Sequence, residues 1–202
     1  MKILFLLVSF FALNAFIADA PTISKKERKS AAKFLKESED ETLKTIGKLS
    51  EAQLKFKPAP DKWSVEECMM HIAASEKMLW GMTEGVINAP ANPEKRAEIK
   101  MTDEEVMKNI EDRTTKRKTL PPLEPQNTGF KSLGEAVASF TENREKLISY
   151  TKDTKADLRN HVNTLPSGSF DCYQMILFIG AHTIRHVKQM EEVMADPGFP
   201  KN

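Results

Sequence analysis

Near the C-terminus, the stretch FIGAHTIRHVKQMEEVM places two histidines, His182 and His186, four residues apart. On a helix this spacing stacks both imidazoles on one side, where they can grip a single metal ion. At 100° per residue from Cys172, His182 falls at about 280° and His186 at about 320°. Met175, Ile179, Met190 and Val193 occupy the same sector, so the pair points inward with core residues. Unpaired polar groups on an apolar face are costly. A shared metal would satisfy them, and so would hydrogen bonds within the core.

A catalytic metal site typically needs three protein ligands and one open position. The chain offers two further histidines, His71 and His161. His71, in KWSVEECMMHIAASE, lies at about 240° when Val65 is set to zero, on the flank of its helix's apolar stripe. From there a side chain reaches a neighbouring helix. His161 sits among polar loop residues, a weaker position for a preorganised ligand. Glu76 falls near 20°, roughly within the stripe, where it orients a ligand, acts as a base, or pairs with a Lys or Arg. Arg185 and Gln189 flank the pair and either contact an anionic substrate or edge the fold. The methionines (Met69, Met70, Met78, Met82, Met175, Met190) read as adaptable core, with copper handling as the lesser reading.

These residues need helices to position them. Ser64 with Glu67 forms a capping box that opens a helix running to about Ile87, stopped by the Pro-containing run at 88–93. Residues 22–49 read as an earlier helix, followed by a short turn at 50–54 and a Pro-bounded connector at 56–60. Thr102-Asp-Glu-Glu opens a charged helix expected to end near Lys118, with few apolar positions. Pro121, Pro122 and Pro125 make a linker through Gly129. A helix over 132–151, a loop over 154–170 and a final helix from Asp171 to about Ala195 complete the chain. No alternating run is long enough to require a sheet. The expectation is therefore an all-α four-helix bundle over residues 21–202 with an extra charged helical insertion.

The N-terminus reads differently. Lys2, the apolar run ILFLLVSFFALNAFIA and the end Ala18-Asp19-Ala20 have the pattern of a secretory signal peptide over residues 1–20. The expectation is export, periplasmic or secreted. Pro21 is a poor residue after a cleavage site, which leaves an uncleaved membrane anchor as the alternative. With 30 Lys+Arg against 29 Asp+Glu and no basic stripe interleaved with aromatics, no nucleic-acid footprint is present. A small-molecule substrate or protein partner fits better, and an exposed face on the first or fourth helix suits a homodimer. Cys68 and Cys172 in an exported chain suggest a disulfide. If His71 and His182 share one ion, however, the cysteines lie at least ~10 Å apart along the bundle, beyond bonding reach. Cys68 as a fourth ligand would close the site.

In combination, KWSVEECMMHIAASE, GSFDCYQMILFIGAHTIRHVKQM and the connector LSEAQLKFKPAPDKWS resemble the DinB-like superfamily over residues 25–195. The resemblance implies a four-helix bundle in which three histidines hold one divalent ion (zinc, nickel or iron). By position these are His71, His182 and His186. It also implies metal-assisted nucleophilic transfer, as in relatives that activate low-molecular-weight thiols, or hydrolysis of a small molecule. The alternative is a non-catalytic metal- or ligand-binding bundle of the cell envelope. The expected leader departs from the family pattern and weighs against the thiol reading, because such thiols are held chiefly inside cells.

Overall fold

The computed structural model describes residues 23–201, so the expected leader over 1–20 lies outside the described residues. The elements in chain order are α1 (Lys25–Ile46), α2 (Glu51–Lys55), α3 (Val65–Ile87), α4 (Asp103–Glu111), α5 (Leu133–Asp153), β1 (Val162–Leu165), β2 (Gly168–Asp171) and α6 (Cys172–Met194). Among the described residues, no helix is long and apolar enough to cross a membrane.

The helix starts are written locally. Ser24/Glu27, Ser50/Gln53, Ser64/Glu67, Thr102/Glu105 and Asp171/Gln174 each close a reciprocal capping box. Each box satisfies two otherwise unpaired donors. The Ser24 box opens α1 three residues later than the periodicity predicts.

The long helices α1, α3, α5 and α6 form the bundle. Both α1 and α3 pack against α5 and α6, so the order around the bundle is α1–α5–α3–α6. Two apolar cores lie along the axis. One gathers Leu35, Leu79, Leu147 and Ile176; the other gathers Ile46, Met69, Phe140 and Met190. Between them every long helix contributes a buried polar residue: Ser38 from α1, Glu76 from α3, Arg144 from α5 and Thr183 from α6. Arg144 joins all four. It donates to Glu76, Ser38, the Leu35 carbonyl and Thr183, and its side chain is fully buried.

Several expectations are corrected. The charged helix stops at Glu111 rather than near Lys118, because Asp112 is extended (φ −63°, ψ 120°) and the chain leaves the helix there. Despite its few apolar positions, α4 buries Val106 and Ile110 and packs along α6. The expected loop at 154–170 contains an antiparallel hairpin pairing Val162 with Asp171 and Leu165 with Gly168. Its four-residue strands are too short to show an alternating pattern, and Gly168 supplies a φ of 133° at the turn. His161 is buried, its ring bonded to the carbonyls of Asp157 and Ala89. Both cysteines are free thiols in the interior. Burial pushes the Cys172 thiol up to about 12 and the Cys68 thiol higher still.

Candidate metal centre

The bundle order makes α3 and α6 neighbours, which carries His71 to His182 and His186 across their shared seam. The His71 and His182 Nε2 atoms are 3.4 Å apart, and those of His182 and His186 are 3.2 Å apart. All three residues offer ring nitrogens within 4.8 Å of one another. For comparison, two imidazole nitrogens on a tetrahedral zinc, each bonded at 2.0–2.1 Å, are about 3.3 Å apart. His71 and His186 are buried, while His182 is partly exposed to a cavity.

Hydrogen bonding at the far ring nitrogens decides what the Nε2 atoms can do. The Leu123 carbonyl, 2.8 Å from His71 Nδ1, can only accept, so Nδ1 carries the proton and Nε2 keeps its lone pair. His186 Nδ1 lies 2.9 Å from Gln189 Oε1. The Arg113 guanidinium also donates to that oxygen, which fixes the amide orientation and makes His186 Nδ1 the donor. Two lone pairs, one from each of these neighbouring helices, are therefore free on the side where the three Nε2 atoms gather. This donor set suits a divalent cation of borderline softness, and the outer partners are those that orient metal-binding histidines.

Burial holds all three imidazoles neutral by lowering their pKa values. For His71 the only opposing influence is the Leu123 bond. For His182 the nearby His71, Arg185 and Arg117 add to burial, and for His186 the other two histidines do. Neutral rings are the ligating form. Aromatic rings line the group: Trp63 sits 4.9 Å from His71 and 6.1 Å from His186, and Phe178 stacks on His182 at 6.4 Å. The histidines open onto a cavity of about 930 Å³.

Glu76 does not line this cavity. Its carboxylate is held by Arg144, with Nε to Oε1 at 2.7 Å and Nη2 to Oε2 at 2.5 Å. Cys68 belongs to the apolar core below and is not part of the histidine group. Arg185 lines the same cavity but directs its donors to the carbonyls of Ile110, Asp112 and Thr115, tying the C-terminal end of α4 to α6. Cations are favoured at such helix ends. Sequence reading missed the Leu123 carbonyl, a main-chain atom with no residue signature. It also missed Arg144, whose four partners are scattered over the chain.

A four-helix bundle with a three-histidine group on facing helices defines a class of metal-binding helical proteins. The DinB superfamily model matches residues 35–190, and the chain belongs to that family. It is 31% identical over 160 residues to YuaE of Bacillus subtilis (strain 168), a match covering 76% of this chain and 90% of that protein. Its fold is also that of YfiT from Bacillus subtilis, with a TM-score of 0.60 at 14% identity, covering 89% of this chain and 92% of the other. YfiT is described as "a probable metal-dependent hydrolase with an unusual four-helix bundle topology".

Proposed function

We propose that this protein holds one divalent metal ion through His71, His182 and His186 and hydrolyses a small molecule bound in the adjoining cavity. The observation that carries this reading is the convergence of three Nε2 atoms, two with their far nitrogens engaged by acceptors. A divalent ion bound there supplies Lewis acidity, which activates an oxygen or sulfur nucleophile near neutral pH. The chain's own residues do the rest. Leu123 and Gln189 fix the ring tautomers, while Trp63 and Phe178 pack against the imidazoles. The cavity admits a substrate of drug-like size.

Hydrolysis is preferred over thiol transfer on two supports: the description of YfiT and the leader-like residues 1–20, which fit export to a compartment poor in small thiols. Metal analysis of protein purified without a histidine tag tests the reading. One equivalent in the wild type and none in His182→Ala is expected; no metal in the wild type overturns it. N-terminal sequencing of protein recovered from the periplasm tests export, and an intact residue 1 in a membrane fraction would mean an anchor instead.

A further inference from the structure

The cavity beside the histidines is lined by two contrasting sets of side chains. The stretch Lys116-Arg117-Lys118 is exposed and lines the cavity, as does Arg185. The ion pairs on this face are Arg113 with Glu192 and Lys188 with Glu111. Among the described residues, Lys116, Arg117, Lys118 and Arg185 have no carboxylate partner. Arg117 donates only to Asn109, through its main-chain and side-chain oxygens, and Arg185 donates only to main-chain carbonyls. The acidic lining residues do not offset them. Glu192 is matched by Arg113 and Asp61 lies 3.8 Å from Lys62, which leaves Asp196 as one carboxylate against those four cations. The charge left over around the cavity is positive.

The rest of the lining includes an apolar set. Met78, Leu79 and Phe178 belong to it, and so do Met82 and Leu120, which are 42% and 54% exposed. Those two are the exposed large hydrophobic residues among the described residues, and both stand on this one cavity. Apolar surface gathered at a single opening marks a binding site rather than scattered surface noise.

We infer that the substrate is an amphipathic organic anion. Its carboxylate or phosphate is held by Arg117 and its lysine neighbours, and its apolar body lies along Met82, Leu120 and Phe178. The inference rests on reading this cavity as the substrate site of the histidine group. Guanidinium and ammonium groups without carboxylate partners retain attraction for an incoming anion, and low-dielectric walls concentrate it. The apolar lining then favours an anion with an apolar body over a small inorganic one, which buries nothing against it.

Calorimetric titration of metal-loaded and chelator-treated protein with decanoate, decyl phosphate, decanol and acetate tests this. Decanoate or decyl phosphate should bind in both forms, and whichever is tighter identifies the headgroup. Decanol and acetate should each bind at least about tenfold more weakly, the scale of one charge-assisted hydrogen bond or a few buried methylenes. Lys116→Gln/Arg117→Gln should remove the preference for decanoate over decanol while metal stoichiometry stays at that of the wild type. Leu120→Ser should weaken decanoate and leave acetate unaffected. Equal binding of decanol, binding by neither anion, or an undiminished preference in the double variant overturns the inference. Anion preference in a protein that takes up no metal refutes the metal reading alone. Metal uptake without anion preference refutes only this inference.

Discussion

Arg144 on α5 and Glu76 on α3 meet through two parallel N–H to O contacts at 2.7 and 2.5 Å, both side chains essentially out of contact with water. The pair sits between the two apolar cores and also reaches α1 and α6 through Ser38 and Thr183. Removing one member leaves the other buried without its counter-charge, a loss of about 3–5 kcal/mol. Glu76→Ala and Arg144→Ala should each show it as a lowered urea midpoint. Glu76→Leu/Arg144→Met should recover much of the loss, and comparable instability in the double variant would contradict this account. Glu76→Gln protein that remains folded should still take up one metal, which separates a bracing carboxylate from a metal-site base.

Gln189 fixes His186 without touching the metal position. Gln189→Ala should lower metal affinity by roughly 10- to 100-fold, the scale seen when an outer partner of a ligating histidine is lost. Competition against a chromogenic chelator measures it. An unchanged affinity would mean that His186 is oriented by packing against Trp63 instead.

The histidines should also make the metal-free protein sensitive to acid. Burial lowers their folded-state pKa values below the ordinary 6.5, so between those values the unfolded chain binds more protons than the folded one. Their contribution is intact above pH 6.5 and is lost as pH falls below it toward the folded-state values. Urea titrations of chelator-treated protein should show stability declining below that point, and His182→Ala should flatten the decline.

Two glycines on the bundle should respond in opposite directions to alanine. A Cβ at Gly180 on α6 would lie 2.7 Å from the Phe34 ring of α1, so Gly180→Ala should destabilise by about 1–3 kcal/mol. Gly85 on α3 has nothing within 4 Å of that position, and Gly85→Ala should stabilise by roughly 0.5–1 kcal/mol. Thermal melts of the two variants provide the comparison.

Much of this architecture is legible along the chain because its signals are local. Capping boxes at Ser64 and Asp171 and the inward facing of His182 and His186 depend on residues within a turn or two of each other. Joining His71 to that pair needed the family resemblance, since helical periodicity places a residue on a face but does not say which helix it meets. The Arg144 brace, the Leu123 carbonyl and the Arg185 tie to α4 stayed hidden because their partners lie 39 to 109 residues away. The short hairpin escaped because four-residue strands carry too little pattern.

The polar layer joining all four helices has a consequence for how metal enters. Because Arg144 and the two apolar cores tie the helices together independently of the histidines, the proposed chelating cleft should be in place before any ion binds. Loading should then follow simple second-order kinetics, with far-ultraviolet dichroism the same before and after. The ion would be exchangeable, so the metal found on the protein would reflect the supply in its compartment as much as any preference of the three nitrogens.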